Sequence, residues 1–218
     1  MGNSVTVQAA RAGRKMAVGT RHQAWGPRGS ETRGLILDAA ERRFAAQGFD
    51  GARLQDIAAD VGRTAPAIAH FFSDKASLFR EVVDRLADDF AAEARAVDPE
   101  SGAVAGQVVA ICRLWIGFML RRPAMLGIVL REMAGGPERE LGAPSWDRTS
   151  MPLALVLKAA EARGEIGPVV PDAVMRIAAG ATLVFMIQLA PEPGPARDAA
   201  IERHLDDLAK AVGAILMA

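Results

Sequence analysis

Apolar side chains recur along this chain at the three- and four-residue spacing of a helix, and no stretch sustains the two-residue alternation of a strand. Ile36, Ala40 and Phe44 repeat every four residues and predict a first helix from residue 30 or 31 to 48. Ser30 suits its N-cap, and Gly48 stands where a helix ends on glycine. Leu54, Ile57, Ala58 and Val61 follow the i, i+3, i+4, i+7 pattern of a second helix over 54–61, which Gly62 stops. Thr64 is placed to cap a short third helix, and Pro66 falls in its first turn, where a missing N–H costs little. Ile68 and Phe72 would seat that helix on the first two. Asp74 is placed to cap a fourth helix, which begins at Lys75 and buries Leu78, Phe79, Val82, Val83 and Leu86.

Helical patterning continues to the end. Asp98-Pro99 and Ser101-Gly102 mark a break, and helices are predicted over 103–121 and 124–134. Residues 135–144 read as a loop. Another helix is expected over 145–163, with Pro152 in its early part or dividing it. Asp172 is expected to cap a helix reaching 190. Pro191, Pro193 and Pro195 form a stiff connector to a last helix over 197–217. The expected fold is all-α. It divides into a disordered arm over 1–30, a helix-turn-helix domain over 31–80, and a ligand-binding and dimerisation domain over 81–218. Met16 is an alternative start of the chain.

The chain has 218 residues, half of them hydrophobic, enough to bury a core in one or two domains. Its 26 basic residues balance 26 acidic ones, which argues against bulk electrostatic binding of the histone kind. Local placement still matters, because the field at a phosphate backbone depends on where charges sit. Arg11, Arg14, Lys15, Arg21, Arg28 and Arg33 face only Glu31 in the first 33 residues. Cys112 is the sole cysteine, so an intrachain disulfide and a cysteine-cluster metal site are excluded. No early apolar stretch resembles a signal peptide. The longest apolar run, 177–190, falls short of the ~20 residues of a membrane span. A cytoplasmic protein without a membrane partner is expected.

The tight pairing of the second and third helices carries the functional signal. A major groove admits one helix, and a second helix across its start braces it against the backbone. Small residues, Ala65, Ala67 and Ala69, would let bases approach closely, while Thr64 and His70 supply hydrogen-bonding groups. Lys75 adds an ammonium at the positive end of the fourth helix, which suits a phosphate.

Residues 36–40, Phe44, Gly48-Phe49, the Asp-Ile-Ala run at 56–58, Gly62, Phe72, Lys75 and Leu78-Phe79 resemble the N-terminal DNA-binding domain of TetR/AcrR-type transcriptional regulators. The likeness covers roughly residues 33–80. It implies that Thr64, Ala65, Pro66, Ala67, Ala69 and His70 contact DNA, that Gln55 reaches a phosphate or base edge, and that Lys75 holds a phosphate. Three positions depart from the family pattern. Ala69 replaces a usual tyrosine, Phe71 a frequent histidine, and Arg53 a Ser or Thr cap. Loss of the tyrosine removes a phosphate bond of roughly 0.5–1.5 kcal/mol, which Arg53 or Arg63 could supply. The resemblance also implies that a helical ligand-sensing and dimerising domain follows.

In the final helix Ile201, Leu205, Leu208, Val212 and Ile215 recur as a heptad-like stripe, fit for a partner helix. The preceding helix is apolar nearly all round, so both of its sides need cover, one from its own domain and one from a twin subunit. Two such helices from each subunit would form a four-helix bundle. Trp115, Phe118, Met119, Met125, Leu126, Met133, Trp146, Met151, Phe185 and Met186 are candidate walls of an apolar pocket. Arg113, Arg131, Glu132 and Gln188 are candidate polar anchors, with ion pairing the alternative for the charged three. His22, His70 and His204 lie far apart in sequence, and no HExxH, phosphate-loop or nucleophile-elbow motif is present. No catalytic set, metal site or cofactor is expected. The expected function is that of a homodimeric repressor, released from a palindromic double-stranded DNA operator by a small apolar effector. The alternative is a helical protein–protein adaptor that keeps the helix-turn-helix as scaffold only.

Overall fold

The computed structural model describes residues 26–98, 102–133, 138–167, 171–189 and 193–216. Within helices it does not describe the side chains of residues 132, 133, 138–147, 171–173 and 175. Among the described residues there are nine helices and no strand: α1 (Pro27–Gly51), α2 (Leu54–Asp60), α3 (Ala65–Ala69), α4 (Lys75–Ala94), α5 (Val104–Arg121), α6 (Pro123–Met133), α7 (Glu138–Ala162), α8 (Pro171–Gln188) and α9 (Pro195–Leu216). The fold is all-α.

α1 starts earlier than its pattern predicts. Gly26 is its N-cap, Pro27 opens its first turn, and Ser30 lies inside it. Residues 27–30 are therefore helical, while the rest of the expected arm, 1–25, lies outside the described residues. Gly48 breaks the helix as expected: its φ of 73° is left-handed, a conformation glycine adopts without strain. One further turn, to Gly51, leads into α2. Gly62, with φ of 64°, makes the turn between α2 and α3.

The first four helices close on an aromatic cluster. Phe44 of α1 meets Phe79 of α4 edge-on at 5.0 Å, and Phe49 lies 6.2 Å from Phe44 and 5.5 Å from Phe79. Ile57, Ile68 and Phe72 are buried against it, so α3 is seated by the two residues that its spacing predicts. Asp74 caps α4 through a reciprocal box: Ser77 N–H donates to its carboxylate at 2.6 Å, and the Asp74 N–H donates to Ser77 Oγ at 3.2 Å.

α4 runs unbroken across position 80. Its first half packs on α1, and its length lies along α7, the most extensive helix pair in the molecule. α7 departs from expectation. It begins at Glu138, taking up residues 138–144 of the expected loop, and continues through both Pro144 and Pro152. Each proline removes one backbone donor. Burial of Leu153, Val156, Leu157 and Ala160 along the same helix holds it in place regardless. α8 begins with Pro171, so Asp172 lies inside the helix rather than capping it. α5 is apolar and long enough, by composition alone, to span a bilayer. Here it is the central helix, in contact with α4, α6, α7, α8 and α9. One continuous hydrophobic cluster runs from Ile36 in α1 to Leu216 in α9.

The Asp74 cap makes stability pH-dependent. Bonding to the Ser77 N–H is the main cause that holds its carboxyl below the usual range. A lowered acid contributes stability above its unfolded pKa, and that contribution fades as pH falls through the folded value. Asp74→Ala should lower unfolding free energy by about 1 kcal/mol at pH 7, measured by urea denaturation. The difference from wild type should shrink steadily below about pH 4.

Candidate nucleic-acid interface and effector cavity

α2, α3 and the turn between them form a polar ledge on the outside of the helix-turn-helix unit. Gln55, Thr64, Pro66, Ala69 and His70 are exposed there, and Ala65 and Ala67 are half-buried. All of these residues lie within α2, α3 or their flanking turns, and α2 and α3 pack on each other. Thr64 occupies the N-cap position of α3 in extended backbone, but its hydroxyl makes no capping bond. That hydroxyl is left for solvent or a ligand, contrary to the cap its position predicts. His70 packs its ring edge-on against Phe71 at 5.5 Å. Arg53, at the N-cap of α2, and Arg63, after Gly62, are exposed and have no ion-pair partner among the described residues.

Arg43 and Asp60 fix the angle between α1 and α2. Arg43 Nε and Nη2 donate to the two carboxylate oxygens of Asp60, both at 2.7 Å. This forked pair is absent from the sequence expectations, because its partners lie 17 residues apart on different helices. Arg33 likewise pairs with Glu81 of α4 and lies over the Phe72 ring at 5.2 Å.

Lys75 has a different place from the one expected of a phosphate holder. Its ammonium donates to the carbonyls of Asp50 at 3.3 Å and Ala52 at 3.2 Å, and lies 4.5 Å from the centre of the Phe49 ring. It thus closes the carboxyl end of α1, where carbonyls lack helical partners. An ammonium has three N–H groups, so one remains for an anion.

The helix-turn-helix unit is tied to the later helices at one carboxylate. Glu41 of α1 is buried, with 8% of its side chain exposed. Its Oε2 accepts from Arg85 of α4 and from Arg122, each at 2.7 Å, and its Oε1 accepts from Arg122 Nε at 3.1 Å. Arg122 is the residue between α5 and α6, and it also reaches Asp89 at 3.1 Å. The bond to Glu41 is the first cause that raises the Arg122 pKa. α6 lies directly on α1 beside this node. A Cβ added at Gly127 would come within 2.9 Å of the Ala45 carbonyl oxygen, and Arg131 donates to the Ala46 carbonyl at 2.9 Å.

Among the described residues, two cavities lie between the later helices. One of about 190 Å³ is lined by Phe90, Ile111, Cys112, Trp115, Thr149, Ser150, Leu153, Arg176 and Ala179. The other, about 450 Å³, shares Ile111 and adds charged side chains, including Asp88, Arg95 and Arg148, with Met151. Of the expected pocket residues, Trp115 and Met151 line these spaces. Phe118, Met119 and Met125 are buried core that lines neither of them; Phe118 meets Phe90 edge-on at 5.7 Å. Phe185 stacks on His204 with centroids 4.2 Å apart. Leu126 is partly buried against the core and Met186 is buried in it. The side chains of Glu132, Met133 and Trp146 lie outside the described residues. Arg113 pairs with Glu202 of α9, Arg131 bonds Ala46, and Gln188 is exposed.

The stripe on α9 faces inward. Leu205, Leu208 and Val212 are buried within the chain, where α5 and α8 cover them, and Ile201 is half-buried. Only Ile215 of the five is exposed. Heptad spacing shows that a stripe packs against something, not which chain supplies the cover. An uncovered apolar stripe lies instead on α8, where Ile177, Val184 and Ile187 are about half exposed at spacings that share one helix face.

Residues 36–82 match the family model of bacterial regulatory proteins of the tetR family. The transcriptional repressor AcnR of Corynebacterium diphtheriae is 42% identical over 57 residues, which cover 24% of this chain and 30% of that protein. The repressor ComR of Escherichia coli is 38% identical over 61 residues, 28% of this chain and 29% of that protein. The chain thus matches under a third of the length of these relatives. Solved structures match over most of the chain. The fatty acid degradation regulator FadR from Bacillus halodurans superposes with a TM-score of 0.67 at 13% identity, covering 87% of this chain and 96% of that one. FadR from Bacillus subtilis, in complex with stearoyl-CoA, gives 0.66 at 12% identity over 82% and 96%. At such identities the likeness is one of fold.

Lys75→Ala should destabilise the folded chain by about 1–2 kcal/mol, from two lost carbonyl bonds and the ring contact. Thermal or urea unfolding measures it, and an unchanged midpoint would remove the clamp assigned to Lys75.

Proposed function

We propose that this chain, which belongs to the TetR/AcrR-type transcriptional regulators, acts as a cytoplasmic homodimeric repressor whose grip on an operator is released by a small molecule. The observation that carries this is the ledge at α2 and α3, where Arg53 and Arg63, without ion-pair partners among the described residues, flank a helix of small residues. α3 would enter the major groove, with Thr64, Ala65, Pro66, Ala67, Ala69 and His70 toward the bases and phosphates. Gln55, the third N–H of Lys75, Arg53 and Arg63 would hold phosphates on either side. The two arginines offset the tyrosine that Ala69 replaces.

A palindromic site needs two such helices related by a two-fold axis, about one DNA turn apart. The apolar stripe of Ile177, Val184 and Ile187 on α8, with Ile215 of α9, is the face we assign to the twin subunit. This moves the interface from the inward-facing residues of α9 to the outer face of α8, within the same pair of helices. In the absence of that partner the stripe would stay in water, at a cost of about 25 cal/mol for each Å² of apolar surface.

The release mechanism follows from the chain of contacts. The 190 Å³ cavity is lined by α4, α5, α7 and α8. Its occupation would shift α4 or the α5–α6 joint, both of which hold Glu41 of α1. Movement there would change the spacing of the two recognition helices. Linkage then requires DNA to weaken effector binding by the same factor. The adaptor alternative is disfavoured by the family match and by the two exposed arginines on the ledge.

Anisotropy titration with DNA from upstream of its own gene tests this. The chain should prefer that DNA to scrambled sequence at moderate salt. Arg63→Ala should weaken binding to every sequence and lower the salt slope by about one unit, without altering stability. Equal affinity for both DNAs would count against the repressor and favour the adaptor.

A further inference from the structure

The smaller cavity is chemically one-sided. Phe90, Ile111, Trp115 and Leu153 make an apolar wall, and no carboxylate among the described residues lines it. Burial pushes the Cys112 thiol up to about 11, so it stays neutral and adds no negative charge near pH 7. Among the described residues, the charged group on the lining is Arg176 of α8, which is exposed and therefore stands at the cavity's edge.

Arg176 differs from the arginines around it. Arg113, Arg121, Arg122, Arg148 and Arg163 each pair with a carboxylate. Arg176 has no ion-pair partner among the described residues. A guanidinium is always charged and offers a planar fork of donors that matches a carboxylate. Because Arg176 reaches water when the cavity is empty, it carries no desolvation cost before a ligand arrives. A neutral ligand would leave its donors unused, and an ammonium would be repelled. The larger neighbouring cavity lacks this one-sided character, since the Asp88 carboxylate lines it beside Arg95 and Arg148.

We propose that the effector is an apolar carboxylate, with its tail among Phe90, Ile111, Trp115 and Leu153 and its anionic end on Arg176. The inference rests on the ligand-responsive function proposed above. Size limits the tail: about 190 Å³ is a little more than the ~150 Å³ of an apolar cavity that admits benzene. One ring or a short acyl chain fits.

Isothermal titration of the full chain with octanoate, octan-1-ol and octylamine separates charge from apolar burial, because the three share one tail. Octanoate should bind at least about fivefold tighter than octan-1-ol, the scale of a partly exposed ion pair, and octylamine weakest. Arg176→Gln, an exposed change that leaves the core intact, should erase the octanoate preference while leaving octan-1-ol unchanged. Ala179→Trp should fill the cavity and weaken octanoate and octan-1-ol together. The proposal is overturned if octanoate is no tighter than octan-1-ol, if its preference survives Arg176→Gln, or if none of the three binds. Operator release is read separately by anisotropy. Arg176-dependent octanoate binding without release would contradict the repressor mechanism and leave the carboxylate site standing.

Discussion

A buried carboxylate ties the first three helices to everything that follows them. Glu41 is covered by the packing of α1 against α4 and α6, and its two oxygens are met by Arg85 and Arg122. A buried charge is tolerated only when it is paired and hydrogen-bonded, because leaving water costs several kcal/mol. Glu41 therefore depends on both arginines, while Arg85 also pairs with Asp38 and Arg122 with Asp89. Replacing one partner of such a group costs about 3–5 kcal/mol when fully buried, and less here, where Arg85 and Arg122 keep partial contact with solvent. The three come from α1, α4 and the α5–α6 joint, so the node fixes the position of the helix-turn-helix unit relative to the cavity-bearing helices.

Packing around the node sharpens this constraint. Gly127 lets α6 lie against the backbone of α1, with no space for a methyl group between them. Arg131 adds a bond to a carbonyl of the same turn of α1. α4 bears on both sides: Arg85 holds Glu41, and Phe90, five residues later, lines the smaller cavity. A side chain pushed at Phe90 is thus a little over one helical turn from a side chain that grips α1. Close-packed interfaces of this kind switch between discrete arrangements rather than deforming smoothly. That is the property a ligand-operated release requires.

Local rules made much of the fold legible. Apolar spacing, the turn glycines at 48 and 62 and the Asp74 cap are short-range features, and the structure has each where its residues place it. The prolines at 144 and 152 misled, since local propensity predicts a loop and a break where packing against α4 sustains one long helix. Thr64 misled in a smaller way: it sits at a cap position without making the capping bond. The residues of the ledge were legible as a group of exposed and half-buried positions, but the carbonyl contacts of Lys75 were not. Its carbonyl partners lie 23 and 25 residues earlier, and only the folded turn at Gly48 brings them within reach. The Glu41 node and the Arg43–Asp60 fork were hidden for the same reason. On α9 the spacing was right about burial and silent about the covering surface, which is the chain's own α5 and α8.

If Glu41 is what joins the two halves, its loss must be felt on both sides at once. Native-state hydrogen exchange of Glu41→Gln against the wild-type chain reads this directly, helix by helix. Amides in the carboxyl half of α1 and in α6 should lose protection together and by similar factors, while α9 keeps its own. Loss confined to α1, with α6 exchanging as in the wild type, would contradict it.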